Sequence, residues 1–237
     1  MPTALIIGAG VRVGLDTATA LAKVGYTVAV ASRTDKLGSK FKHFPFDASK
    51  PESVPNLFSA VKNTLGAPSV IIYNAYESTL TPRNDPLSTP LTTLSTSLDV
   101  NAVTPYATAR EAVAAFASLQ ASSTLGPSGG TFIFTGNLLG LGIVAPGFLP
   151  FGMGKSAAAH LVQNLALVAF DGEPYKFYYA DQRNADGSPK PTGLSGPAHA
   201  DLYVDLVQAP EQRPWLQTFV EGEGYKAFAK EEIWWPQ

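Results

Sequence analysis

Along the chain, short apolar runs rich in Val, Ile, Phe and Tyr alternate with longer stretches in which apolar residues recur every three or four positions. The first kind of run suits a strand covered on both faces, the second a helix with one face on a core. Strands are expected at 3–7, 27–31, 43–46, 69–73, 131–135, 176–180 and 215–220. Helices are expected at about 14–24, 52–64, 95–120, 152–170 and 199–208, and Gly25 and Gly66 fall where helices end. This order, joined by right-handed crossovers, predicts an α/β fold: a doubly wound, mostly parallel sheet of about seven strands with helices on both faces.

Two stretches break the rhythm. Residues 81–90 (TPRNDPLSTP) and 183–197 (RNADGSPKPTGLSGP) are rich in Pro, Gly, Ser and Asn, and each follows a strand's carboxyl end, where open α/β sheets bind ligands. Both are candidate substrate loops; 181–200 is long enough for a lid, and the alternative for each is a solvated loop without function. No internal repeat or independent core divides the chain, so 1–237 reads as a single domain.

Composition narrows the chemistry. The net charge of −2 is spread without runs of one sign, which argues against nucleic acid as a partner. There is no cysteine and only three scattered histidines (His43, His160, His199), so thiolate catalysis is excluded, no metal site is expected, and redox work would need a bound cofactor. The histidines are expected in surface or packing roles. The first apolar run leads straight into a glycine turn, leaving no room for a signal peptide, and no segment is long enough to span a bilayer. A cytoplasmic protein with no membrane partner is the expectation.

That glycine turn is Gly8-Ala9-Gly10-Val11-Arg12-Val13-Gly14, between a strand and a helix, where backbone can approach a diphosphate at a positive helix N-terminus. Its context within a βαβ unit makes it a Rossmann dinucleotide signature. The second strand closes on Ser32-Arg33, where an NAD site would carry a carboxylate for the ribose 2′-hydroxyl; an arginine there favours a 2′-phosphate, with Arg12 as a second positive charge. NADP(H) is the expected cofactor. Two solvent-exposed arginines without a ligand are the alternative.

From this point the residues resemble the short-chain dehydrogenase/reductase family, in order along about the first 175 positions. The family's G-x-x-x-G-x-G turn corresponds to Gly8 through Gly14, with Arg12 in place of its middle glycine. Asp47-Ala48 is similar to the family's adenine-contacting pair, Asn74-Ala75-Tyr76 to its Asn-Ala-Gly segment, Asn101 to the asparagine of its catalytic tetrad, and Lys155 to the lysine of Tyr-x-x-x-Lys. The resemblance implies that Lys155 holds the nicotinamide ribose. It also implies a homodimer or homotetramer, with a two-fold contact through the helices at 95–120 and 152–170.

The catalytic pattern departs from the family. Four residues before Lys155 stands Phe151 where the family has its tyrosine, and Asn137 stands at about the position of its serine. Phenylalanine has no transferable proton, whereas an asparagine amide can still donate to a carbonyl oxygen. Losing a positioned acid typically costs about a hundred- to ten-thousand-fold in rate. The candidate replacements are Tyr76, whose alternative is an aromatic lid, then Tyr178, Tyr179 and Asp181 around the end of the sixth strand, and a water held by Asn101 and Lys155. Tyr178 and Tyr179 are expected to pack within that strand. The tail carries Trp234 and Trp235, as sheet packing, a dimer contact or a pocket wall.

Three functions stay open. One is an NADPH-dependent reductase of a small carbonyl, imine or activated alkene with a non-standard proton donor, the imine fitting best because an iminium ion needs no acid. The others are a non-redox isomerase or cyclase that keeps the cofactor as scaffold, and a catalytically silent NADP(H)-binding sensor or interaction partner.

Overall fold

The computed structural model describes residues 1–142 and 145–229. Eight strands form one sheet: β1 (Thr3–Ile7), β2 (Thr27–Ser32), β3 (Lys42–Pro45), β4 (Pro68–Tyr73), β5 (Gly130–Thr135), β6 (Tyr175–Arg183), β7 (Leu216–Val220) and β8 (Gly224–Tyr225). Their spatial order is β3-β2-β1-β4-β5-β6-β7-β8. All neighbours pair in parallel except β7 with β8, a short antiparallel addition beyond the seven strands expected. The chain reverses direction across the sheet between β1 and β4, which opens a crevice at their carboxyl ends.

Strand alternation divides the core into two layers. Leu5, Ile7, Phe132 and Phe134 face α2 (Val54–Leu65), α4 (Thr104–Ala121) and α5 (Leu149–Asn164). Ala4, Ile6, Val30 and Ile133 face α1 (Val13–Lys23) and α6 (Gly196–Gln208). Both faces are covered, which is why the strands read as continuous apolar runs. Gly25 and Gly66 do adopt the positive φ that closes a helix, each at +95°.

Three local features differ from the expectation. The helix expected at 95–120 is α3 (Leu91–Leu98) joined to α4 through a widened π-turn at Asp99–Val103, a device that re-aims side chains within a continuous helix. β6 runs three residues past 180, so Asp181 lies inside a strand rather than beyond its end. Finally, α6 begins at Gly196, and His199 sits within it, buried edge-on against Tyr203 and Phe219, with Nδ1 2.7 Å from the carbonyl of Ser195. His199 packs, as expected, and burial holds its pKa down at about 4.

The carboxyl end of α6 is closed from the sheet. Lys176 of β6 is buried and donates from Nζ to the carbonyls of Leu206 (3.2 Å) and Val207 (3.1 Å), and to that of Ala209. An ammonium here satisfies carbonyls that a helix end leaves open and complements its dipole. The residues carrying Trp234 and Trp235 lie outside the described residues.

Candidate active site

The crevice is built on tight backbone contacts. Gly8, at φ +86°, donates to the carbonyl of Ala31 (2.8 Å), and a Cβ there would run into the backbone of Ala75. Asn74 locks the two strand ends together, its amide nitrogen donating to the Gly8 carbonyl at 2.8 Å and its backbone N–H to Ile7 at 2.7 Å. Gly14 lets α1 approach, since a side chain would strike Ala9, whereas at Gly10 a side chain would meet no atom. Gly10 thus leaves open space in front of the first turn of α1, which starts at Val13. This cradle fits a dinucleotide diphosphate.

The ends of β2 and β3 supply the second half. Ser32 donates its hydroxyl to the carbonyl of Thr34 (2.8 Å) and lies 3.1 Å from Nε2 of His43. Arg33 is exposed beside a cleft of about 470 Å³ that Asp47 and Lys50 also line. Asp47 accepts from the backbone N–H (3.0 Å) and hydroxyl (2.9 Å) of Ser49; that backbone bond above all holds its pKa below the usual carboxylate value. The carbonyl of Ala48 is fixed by the hydroxyl of Thr104 at 2.7 Å. Arg12 and Arg33 are in no ion pair among the described residues. Two unpaired cations flanking the glycine turn suit a cofactor bearing a 2′-phosphate.

Across the crevice, the π-turn holds Asn101 fully buried. Its amide nitrogen donates to the carbonyls of Glu77 (2.7 Å) and Ser97 (2.9 Å), which ties the 76–90 segment to the helix. α5 approaches this turn at Gly154, where a Cβ would collide with that of Asn101. The next residue of α5, Lys155, is 3% exposed and donates from Nζ to the carbonyl of Thr135 at 2.9 Å. The ammonium lies 4.4 Å from the ring centroid of Phe134 and 5.3 Å from that of Phe151, within cation–π range of both. Burial lowers its pKa to about 7, against the opposing pull of Asp181.

Asn137 follows β5 and caps a short turn, its side-chain oxygen accepting from the N–H of Leu139 at 3.1 Å. The side-chain nitrogen of Asn137 has no partner among the described residues. Beneath it, Tyr179 is fully buried, with its ring filling the space left by Gly136 and Gly140. On α5, Phe151 is nearly buried, and tilted rings of Tyr76 (6.2 Å) and Phe148 (6.3 Å) extend it into an aromatic surface. Tyr76 is 62% exposed.

Asp181 lies towards the carboxyl end of β6. It is 1% exposed and accepts from Nε of Arg183, itself 1% exposed, at 2.6 Å. Burial raises the Asp181 pKa to about 6, although Arg183 and Lys155 both pull it down.

Comparison with known proteins bears on this geometry. Residues 2–170 match the family model described as short chain dehydrogenase. The short-chain dehydrogenase/reductase dmxR12 of Cryptosporiopsis sp. (strain 8999) is 37% identical over 246 residues, covering 96% of this chain and 95% of that protein. The chain belongs to the short-chain dehydrogenase family. Solved structures share its fold at lower identity. A metagenomic short-chain oxidoreductase in complex with NADP superposes with TM-score 0.76 and 18% identity, over 92% of this chain and 96% of that one. An NADH-dependent reductase complexed with NAD gives 0.74 and 19%, over 87% and 88%.

Within the short-chain dehydrogenase frame, Gly8, Gly10, Gly14, Asn74 and Ala75 gather at the β1–β4 switch point. Lys155, Phe151 and Tyr76 meet on the far side, with Asn101 packed beneath α5. Sequence reasoning missed Arg183, which stood in a stretch read as loop, and it weighed Tyr179 as packing or as a proton donor but not as a support for Asn137. Neither carries a motif. No helix among the described residues is long and apolar enough to cross a membrane.

Proposed function

We propose that the protein is an NADP(H)-dependent reductase of a small carbonyl compound, with Phe151 and Asn137 standing where its family carries the catalytic tyrosine and serine. The observation that carries this reading is Lys155: a buried ammonium, with a pKa of about 7, faces a phenylalanine ring instead of a phenol and shares its surroundings with a buried carboxyl group. A donor with a pKa near the working pH is what proton transfer requires.

Gly8, Gly10, Val13 and Gly14 would hold the diphosphate, Arg12, Ser32 and Arg33 the 2′-phosphate, Asp47 and Ala48 the adenine, and Asn74, Ala75 and Lys155 the nicotinamide end. Bound NADPH supplies the hydride. The side-chain nitrogen of Asn137 donates to the substrate oxygen and stabilises the negative charge that develops there. The proton comes from the Lys155–Asp181 couple, and Asn101 holds the helix turn against which Lys155 is placed. Tyr76 and Phe151 offer an aromatic face to the substrate, with 181–200 as the lid of a single domain.

Among acceptors, the charges favour a carbonyl or activated alkene over an imine. Lys155 and Arg183 outnumber Asp181 in the buried cluster, and a cationic iminium ion would be repelled there. Exposed Val103, Tyr106, Met153, Leu167 and Val168 on α4, α5 and their flanking turns make this face our candidate for a two-fold dimer. Tyr106→Glu is then expected to yield monomers in analytical ultracentrifugation.

Stopped-flow oxidation of NADPH against a panel of ketones, aldehydes, imines and enones tests the function. Turnover with carbonyl or enone members is expected. Tight NADPH binding with no turnover on any member would favour a silent dinucleotide-binding protein, and product formed equally well with NADP⁺ would favour an isomerase or cyclase.

A further inference from the structure

Arg183 is a long cation sealed inside the carboxyl end of the sheet, and its hydrogen bonds are incomplete. Nε donates to Asp181 and Nη1 to the carbonyl of Gly187 at 3.0 Å, but Nη2 is buried and has no partner among the described residues. A guanidinium cannot discard its charge, so a buried N–H left unpaired is costly unless something else fills the place. Gly187 belongs to the segment that covers Arg183. This segment folds on itself: Asn184 donates from its side chain to Ser188 Oγ (3.0 Å) and the carbonyl of Pro189 (2.9 Å).

The charges around Arg183 do not balance either. Asp181 and Arg183 project from the same face of β6, and Lys155 senses the Asp181 carboxylate on that side. Among the described residues the one buried carboxylate is paired with Arg183 alone, and Lys155 is a second buried basic group that feels its charge without forming an ion pair with it. Charges on the neighbouring segments are occupied elsewhere: Lys190 pairs with Glu221 and Lys226 with Glu223, while Glu77 and Asp186 turn back onto Thr79 and Ser188. Excess buried positive charge calls for an anion.

We propose that Nη2 of Arg183 is a subsite, beneath the 184–195 segment, for one oxygen of a carboxylate on the substrate. Nε and one N–H of Nη1 are committed, and both N–H groups of Nη2 lack a partner among the described residues, so Nη2 can bind one carboxylate oxygen while the bonds to Asp181 and Gly187 persist. The aromatic surface of Tyr76, Phe148 and Phe151 lies beside Lys155 and suits a planar body attached to that group. This deepens the function proposed above and rests on it: the substrate class becomes an aromatic or otherwise planar carbonyl compound that carries a carboxylate.

Benzoate and its neutral isostere benzamide are the probes, titrated calorimetrically into the full-length protein saturated with NADP⁺. Benzoate is expected to bind at least about tenfold more tightly. The double variant Asp181→Asn with Arg183→Gln removes both members of the buried pair without stranding one of them, and is expected to abolish the preference while NADP⁺ still binds. Arg183→Gln alone is the stricter variant; the wild-type comparison decides the matter even if neither variant folds. Equal binding of the two probes, no binding of benzoate, or a preference that survives the double change overturns the subsite. Failure of NADP⁺ itself to bind overturns the reductase reading instead, so the two failures are distinguishable.

Discussion

The hydroxyl of Tyr179 accepts a hydrogen bond from the backbone N–H of Asn137 at 3.0 Å and donates one to its carbonyl at 2.8 Å. A single buried phenol thus grips both backbone groups of the residue proposed to hold the substrate oxygen. Burial pushes the Tyr179 pKa up, with the Asp181 charge acting in the same direction, so the phenol stays protonated and keeps its donor.

Tyr179→Phe removes this grip without altering the ring. The backbone N–H of Asn137 loses its partner, which typically costs about 1–3 kcal/mol, while its carbonyl keeps the N–H of Gly140 at 3.1 Å. The urea midpoint is expected to fall with an unchanged denaturant slope. Carbonyl turnover is expected to fall as well, while the dissociation constant of NADPH stays the same, because Tyr179 touches none of the residues assigned to the cofactor.

The double change Phe151→Tyr with Asn137→Ser tests whether the pocket still has room for the family's chemistry. Lys155 already lies 5.3 Å from the ring centre at position 151, close enough to bias a phenol there towards its anion. Reduction of simple neutral ketones, measured as NADPH consumption, is expected to appear in the double variant. Absence of that activity in a folded, NADPH-binding variant would mean that the pocket has been rebuilt around a different substrate.

Arg33→Ala addresses cofactor choice. The side chain is exposed and in no ion pair among the described residues, so its loss is expected to leave stability nearly unchanged. A charge-assisted contact with a 2′-phosphate is worth about 1.5–3 kcal/mol, so the preference for NADPH over NADH should shrink about ten- to a hundredfold. An unchanged ratio would reassign the 2′-phosphate to another group.

Reduction requires Lys155 to be protonated. With burial lowering its pKa from 10.5 to about 7, the rate of NADPH oxidation at saturating substrate is expected to fall as pH rises through about 7. Stability should move the other way. Between about 7 and 10.5 the unfolded chain binds the proton more readily than the folded one, so stability contributed by this group rises with pH across that window. Lys176, lowered to about 8 mainly by burial, adds to the same slope. Lys155→Met is expected to flatten the rate profile and reduce the slope of urea midpoint against pH.

The two-layer architecture was legible because its signal is periodic. Runs such as Leu5-Ile6-Ile7 and Phe132-Ile133-Phe134 have no polar face, so the sequence itself says that both sides of the sheet are covered. The dinucleotide cradle was legible through Gly8, Gly14 and Asn74, whose roles are local. Asp181 and Arg183 were not, since two charged residues argue against a strand until each is seen to neutralise the other at 2.6 Å. β8 was hidden for the opposite reason: two residues within Glu221-Gly222-Glu223-Gly224-Tyr225 carry no periodicity at all. The grip of Tyr179 on Asn137 joins residues 42 apart and leaves no mark on either segment.

The small antiparallel strand β8 has an effect on how the protein behaves in concentrated solution. A sheet ending at β7 would offer five residues of unpaired parallel strand to any other chain in the cell, whereas Gly224 and Tyr225 cover part of that border with a piece too short to extend. At the opposite border, β3 is only four residues long and ends in Pro45, which has no N–H to give. Neither rim is a good template for strand-by-strand growth, so the molecule is protected from amyloid-like stacking at both ends of its sheet.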